Sequence, residues 1–190
     1  MKTAPANGGA TKLGIENVVT SLAGRGILID VLSHKGGELP VGYEITRADI
    51  ESALKAQKTS VKEGDIVLLH TDVVPGYYEL SDPIERASYV IEPQAGIGMD
   101  VEGWIADHRI AAMAADNIAL EVLPNPDSAK TLEIHGALLR DLGVYMGEIW
   151  RLEELAADCR EDGHYEFFLA AQPLNVPGAV DAPLNPIAIK

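Results

Sequence analysis

A chain of 190 residues with 47% hydrophobic content is long enough to bury one core, and length alone argues for one domain. Its formal net charge of -14 repels phosphate backbones and anionic lipid, so neither nucleic acid nor a membrane is an expected partner. The single cysteine, Cys159, cannot close an internal disulfide, no stretch approaches the roughly 18 apolar residues of a membrane span, and Met1 to Gly9 has no apolar signal core; a cytoplasmic location is the expectation.

The first twelve residues, MKTAPANGGATK, are small and polar and read as a disordered lead-in. Leu13 to Leu22 reads as a short helix, broken by Gly24 and Gly26 before the apolar run Ile27 to Leu32, a predicted central strand. A Gly/Pro loop follows. Thr46 and Asp49 then resemble a capping box, and Ile50, Ala53 and Leu54 supply the buried stripe of a helix. Asp65 to His70 is a second predicted strand. Two strands joined through a loop and helix imply a right-handed crossover in a parallel or mixed sheet. His70, Thr71 and Asp72 end that strand, where α/β folds often place ligands, although such a run also suits a surface loop. The segment VVPGYYELSDPIERASYVIEPQ, with its three prolines and three tyrosines, reads as a long irregular excursion.

Asp100 can cap a helix in which Val101, Trp104, Ile105 and His108 share a face, and Ile110 to Asn117 reads as a third strand. Asp116 and Asn117 at its end suit either substrate binding or a turn. Between Thr131 and Glu154 lies the stretch richest in chemistry. Leu132, Leu138, Leu139 and Leu142 mark an apolar helical stripe that includes His135, and Gly143 suits the residue just past a helix end. The period then changes. Val144, Met146, Glu148 and Trp150 share one face of a strand, while Tyr145, Gly147 and Ile149 share the other, so Glu148 stands in an apolar row.

From His135 to Gly143 a helix climbs roughly 12 Å, and from Gly143 to Glu148 a returning strand covers roughly 16 Å, which brings the two side chains to similar heights. A buried carboxylate must be paired, hydrogen-bonded or metal-bound. An imidazole beside it suits a divalent ion; the alternative is a satisfied core histidine and a glutamate that caps an amide or pairs with arginine. Leu152 to Cys159 then reads as a helix, Asp162 and Gly163 as a turn, Tyr165 to Ala171 as a strand, and the proline-rich tail ends in a short extended piece. Gly96 and Gly98 lack the rest of a dinucleotide fingerprint, and the histidines form no His-Glu-x-x-His helix.

GIENVVTSLAGRGILIDV, YEITRADIESALKAQ, VKEGDIVLLHTD, GIGMDVEGWIADHRIAAMAADNIALEVLP, IHGALLRDLGVYMGEIWRLEELA and YEFFLAAQPL followed by NPIAI occur in an order that resembles the cyclase family, the metal-dependent hydrolases that include bacterial kynurenine formamidase (arylformamidase) and isatin hydrolase. The resemblance covers nearly all of Leu13 to Ile189. It implies an α/β architecture, the swivelling β/β/α fold, and hydrolysis of an amide, lactam or ester bond in a small-molecule substrate by metal-activated water. In binuclear members the residues matching His135 and Glu148 complete the second metal site; in mononuclear members they lie close to the metal.

The family's His-x-Gly-Thr-His-x-Asp-x-Pro-x-His motif, which precedes the strand matched by Arg25 to Val31, has no counterpart in this sequence. The expectation is therefore a cyclase-type domain over 13–190 that is N-terminally truncated, with no catalytic residue assigned. Divalent metal, zinc or manganese, would be bound in a complete enzyme and weakly or not at all by this chain alone. Expected partners are further copies in a homo-oligomer, through an incompletely covered apolar sheet edge, or a complementing N-terminal segment. Asp72-Val73 and Asp181-Ala182 stand where many relatives have Gly-Trp and Gly-Ser, a departure that bears on the substrate pocket. Two other readings are a non-catalytic binding or oligomerisation module of the same fold, and a small-molecule-binding α/β domain with another chemistry.

Overall fold

Short runs of Ile, Val and Leu without charge favour strands covered on both faces. Such runs lie side by side in the computed structural model of the chain, which describes residues 10, 12–127 and 130–190; most of the expected lead-in lies outside the described residues. The chain divides into two compact units, and Gly26–Glu166 forms the larger. In chain order its strands are β1 (Ala23–Ile29, from Gly26 on), β2 (Glu44–Ile45), β3 (Ile66–Leu69), β4 (Gly96–Ile97), β5 (Ala112–Ala115) and β6 (Tyr145–Gly147). Four of them make a parallel sheet in the order β6-β5-β3-β1, with Ile27 opposite Val67, Val67 opposite Met113 and Met113 opposite Met146. The other two, β2 and β4, pair in parallel, Ile45 opposite Ile97. Ile27, Ile29, Val67, Leu69 and Met113 are fully buried, and each such aliphatic side chain contributes roughly 1.5–3 kcal/mol.

The first helix corrects the expected extent of the first strand. Instead of continuing to Leu32, the chain turns at Asp30, whose side chain accepts the N–H of Ser33 and starts α1 (Val31–His34). Next, α2 (Arg47–Gln57) bears out the capping box: Asp49 Oδ2 accepts the Thr46 N–H at 3.0 Å and Thr46 Oγ1 accepts the Asp49 N–H at 3.3 Å. Ile50, Ala53 and Leu54 are its buried face.

The expected irregular excursion is instead two helices, α3 (Val73–Glu79) and α4 (Pro83–Ile91). Two of its three prolines mislead because they sit where a helix tolerates one. Pro83 is in the first turn of α4, behind Asp82, whose carboxylate accepts the N–H groups of Ile84 and Glu85; Pro75 is in the first turn of α3, where no N–H has a helical partner. The expected helix after Asp100 is α5 (Val101–His108), burying Val101, Trp104 and Ile105, but the Asp100 carboxylate accepts the Arg47 N–H rather than capping it.

The stretch around His135 is α6 (Glu133–His135), which runs directly into a π-helical segment, Gly136–Leu142, ended by Gly143 at φ 70°. There the leucine stripe is corrected. Ile134, Ala137 and Leu138 are buried, whereas Leu132, Leu139 and Leu142 are 36–41% exposed: Leu132 precedes α6 in a left-handed conformation at φ 53°, and the i→i+5 ladder of the π-helix rotates Leu139 and Leu142 away from a 3.6-residue stripe. Gly143 bears out its assignment as the residue past the end. The last helix of this unit is α7 (Glu153–Asp162), with Gly163 left-handed at its end.

The second unit gathers the described residues up to Arg25 with Phe167–Lys190. Here the expected helix over Leu13 to Leu22 is only a 3₁₀ turn, Ile15–Asn17. β7 (Glu166–Ala170) pairs antiparallel with β8 (Ile187–Ile189), Leu169 opposite Ala188. The Ile15 N–H donates to the Ala179 carbonyl at 2.8 Å and the Ala171 N–H to that of Leu22 at 2.9 Å. Among the described residues no helix is long and apolar enough to cross a membrane.

Candidate functional site

Two groups of ionisable side chains lie past the C-terminal ends of the parallel strands, where α/β sheets bind ligands. The first is built on His135. It follows from a turn after β5: Asn117 Oδ1 accepts the Leu120 N–H at 2.8 Å and Asn117 Nδ2 donates to the Ala95 carbonyl at 2.7 Å, so of the two readings open for Asn117 the turn is realised. That turn delivers Glu121, whose side chain is 2% exposed. Its Oε1 accepts from His135 Nδ1 at 2.7 Å and from the His135 backbone N–H at 3.3 Å, and its Oε2 lies 3.4 Å from the Ile134 N–H.

Glu148 meets the same ring from the opposite edge. His135 Nε2 and Glu148 Oε1 are 3.1 Å apart, so the structure brings together the two residues singled out from the sequence. Their burial is shallower than the strand pattern implies. β6 ends at Gly147 and Ile149 is left-handed at φ 60°, leaving Glu148 34% and His135 27% exposed at the side chain. Ile149 and Trp150 stay tied to the strand end through N–H bonds to the carbonyls of Asn117 and Ala115. Hydrogen bonds from Glu121, first, and Glu148, second, push the His135 pKa up to about 9 against the opposing effect of burial. At neutral pH the metal-free ring is thus a cation between two carboxylates.

Glu121 is absent from the sequence reading. The signal was present: it is the one charge in the apolar run Ile118 to Leu123, the same anomaly that draws attention to Glu148.

The second group ties together the ends of β1, β3 and β5. His70 Nδ1 is 2.9 Å from Asp30 Oδ1, and Asp30 Oδ2 accepts from Arg160 at 2.7 Å. Asp116, fully buried, accepts the Thr71 N–H at 2.7 Å, the Thr71 hydroxyl at 2.6 Å and the Asp72 N–H at 2.6 Å. His70 Nε2 is buried 4.0 Å from both Asp72 Oδ1 and Asp116 Oδ2. Burial opposes charge on His70, but the Asp30 hydrogen bond and the charges of Asp116, Asp30 and Asp72 raise its pKa above the ordinary value. Burial likewise opposes the Asp30 carboxylate, yet bonds from His70, Ser33 and Arg160 hold its pKa well below the usual range. Asp116 goes the other way: burial raises its pKa despite His70 and the Thr71 and Asp72 donors. His70, Thr71 and Asp116 are therefore interior groups that fasten strand ends, not a surface loop. Beside them a 270 Å³ cleft is lined by Tyr77, Tyr78, Tyr89, Asn117 and Ile149.

Among the described residues no group of three or more His, Cys, Asp or Glu side chains is placed to hold a metal ion. His135 Nε2 and Glu148 Oε1 nevertheless have the donor chemistry of two ligands for a borderline or hard divalent ion, facing one another at the more exposed edge of the ring.

Comparison with known proteins follows the same lines. The chain resembles a crystal structure of a novel cyclase with 61% identity and a TM-score of 0.90, over 96% of this chain and 57% of that one. With isatin hydrolase A from Ralstonia solanacearum it shares 14% identity and a TM-score of 0.71, over 98% of this chain and 65% of that one. A potential metal-dependent hydrolase with cyclase activity matches at 24% identity and a TM-score of 0.58, over 90% of this chain and 66% of that one. At such identities the last two show the fold alone, which is the mixed α/β fold of cyclase-type hydrolases. The chain spans 57% and 65% of the first two relatives. No curated protein sequence matches it significantly. The sequence model of the Cyclase family matches residues 4–122, more than half of the chain, and the chain therefore belongs to the Cyclase family.

Proposed function

We propose that the chain is part of a metal-dependent hydrolase that opens an amide, lactam or ester bond in a small molecule, of the arylformamidase kind with N-formylkynurenine as the substrate type. The observation that carries this reading is the facing pair His135 Nε2 and Glu148 Oε1, 3.1 Å apart past the end of a parallel strand. His135 would give an imidazole nitrogen and Glu148 a carboxylate oxygen to a zinc or manganese ion; the remaining ligands would come from a complementing segment or from another copy in a homo-oligomer. When bound, the ion would lower the pKa of a water toward about 7 and polarise the scissile carbonyl. To accept it, His135 must release the proton that it holds between two carboxylates, so metal uptake liberates a proton. With only two protein ligands the isolated chain should bind the ion weakly.

The absence of a three-ligand group among the described residues favours a second reading, a non-catalytic module of the same fold. One experiment separates them. A chain bearing the family's histidine motif is added in trans or fused upstream, then zinc is titrated calorimetrically and formate release from N-formylkynurenine is followed. The hydrolase reading expects a tight site and turnover, with Glu148→Gln weakening zinc binding by roughly 10 to 100-fold. No zinc binding and no hydrolysis in the combined protein would leave the module reading.

A further inference from the structure

We propose that Glu121 is a positioning residue that fixes the tautomer of His135, keeping the ring proton on Nδ1 so that Nε2 is the nitrogen offered to a divalent ion beside Glu148. In assigning a cation to Nε2 this rests on the hydrolase reading, but the tautomer itself does not. Two carboxylates address one imidazole from opposite edges, and they are not equivalent. Glu121 is 2% exposed and 2.7 Å from Nδ1; Glu148 is 34% exposed and 3.1 Å from Nε2. A neutral imidazole has one N–H to give, and the hydrogen bond made by one nitrogen decides what the other does. The shorter bond, in the lower dielectric, takes that proton.

Glu121 is also fastened on both sides, so it cannot exchange roles with Glu148. Its carboxylate accepts the His135 backbone N–H as well as the ring, and so holds the residue's main chain and side chain at once. Its own main chain is gripped by β4: the Ile97 N–H donates to the Leu120 carbonyl at 3.0 Å and the Val122 N–H to the Ile97 carbonyl at 3.1 Å. Gly96 makes that approach possible, since a β-carbon there would lie 2.6 Å from the Val122 nitrogen. A charged side chain buried in an otherwise apolar run would be strongly unfavourable without such partners. A carboxylate on the far nitrogen of a ligating histidine orients the ring and raises the basicity of the near one. Glu148, on the open edge, is left to meet the ion.

The test uses the full chain, ¹⁵N-labelled and metal-free, at a pH high enough that the ring is neutral. Two-bond ¹H–¹⁵N correlations then show which nitrogen carries the proton. We expect Nδ1–H in the native protein and in Glu148→Gln, and a shift toward Nε2–H in Glu121→Gln, because the amide offers one acceptor where the carboxylate offers two. Zinc chloride is then titrated into the same variants combined with the chain that bears the histidine motif. Glu121→Gln should bind zinc roughly 10 to 100-fold more weakly than the native chain, and Glu121→Asp should fall between them. Unfolding midpoints of the metal-free variants confirm that each is folded, and Glu121→Asp serves if Glu121→Gln is not. Nε2–H in the native protein, or an unchanged tautomer in the folded Glu121 variant, overturns the proposal. Zinc affinity that ignores Glu121 overturns its role toward the ion. Failure of zinc to bind the native chain combined with the histidine-motif segment, with the tautomer as expected, would instead count against the hydrolase reading.

Discussion

The buried carboxylate of Asp116 accepts the backbone N–H of Asp72 at 2.6 Å, and Asp72 is left-handed at φ 69°. An L side chain in that region crowds its own backbone, at a cost of about 1–2 kcal/mol that Asp partly escapes and glycine avoids. Asp72→Gly and Asp72→Ala both remove the charge near His70 and differ only in the β-carbon. Glycine at this position should therefore give the more stable protein of the two, by about 1 kcal/mol in urea unfolding. Equal midpoints would show that the loop relaxes to another conformation.

Asp116 satisfies three donors with two oxygens, Thr71 twice and Asp72 once. An asparagine has one acceptor oxygen, and its amide group would face one of those N–H groups in a fully buried site. Asp116→Asn should destabilise the fold by roughly 2–4 kcal/mol, measured by thermal or denaturant unfolding. A change below about 0.5 kcal/mol would mean that the carboxyl is already protonated and acts as a neutral group.

Acid sensitivity should come in part from Asp49. Burial opposes its charge, but Lys35, the Thr46 N–H and hydroxyl and the Tyr43 hydroxyl lower its pKa from 3.8 to about 2. A carboxylate depressed in the folded state adds stability that is fully present above its unfolded pKa and is lost as pH falls through the folded one. Between about pH 5 and pH 2 the native protein should lose roughly 2 kcal/mol that an Asp49→Asn variant has already lost at neutral pH. Parallel pH profiles for the two proteins would assign the acid loss elsewhere.

Gly96 packs against the main chain of Glu121 and Val122, where an added β-carbon would overlap the backbone rather than a flexible side chain. Gly96→Ala should cost about 1–3 kcal/mol by overpacking. It should also move the imidazole signals of His135, because Glu121 carries the displacement to the ring. A destabilised protein with an unmoved His135 spectrum would show that the segment gives way elsewhere.

The elements legible in the sequence were those whose signals are local. Thr46 and Asp49 announce the start of α2 because a capping box closes within four residues. The run Ile66 to Leu69 could hardly be anything but a covered strand. The helices α3 and α4 were hidden because Pro75, Gly76 and Pro83 normally interrupt helices, and only their place in a first turn reverses that meaning. The pairing of His135 with Glu148 was legible from rise per residue, although only Leu138 of the expected leucine face is buried, since nothing in the sequence announces a π-helical ladder. Glu121 escaped because it is brought to the ring by a turn at Asn117 and a clasp from β4, contacts that no period encodes.

The parallel order of β6, β5, β3 and β1 has a kinetic side. No neighbouring pair can form as a hairpin; each must wait for a long crossover to be closed before its contacts reward the loss of chain entropy. Glu121 and His135 lie between β5 and β6 and Glu148 follows β6, so the three meet only after most of the sheet exists. The covering helices α2 and α5 alternate with the strands along the chain, so a strand gains its helix before its sheet partner, and the long-range pairing should make this chain a slow folder.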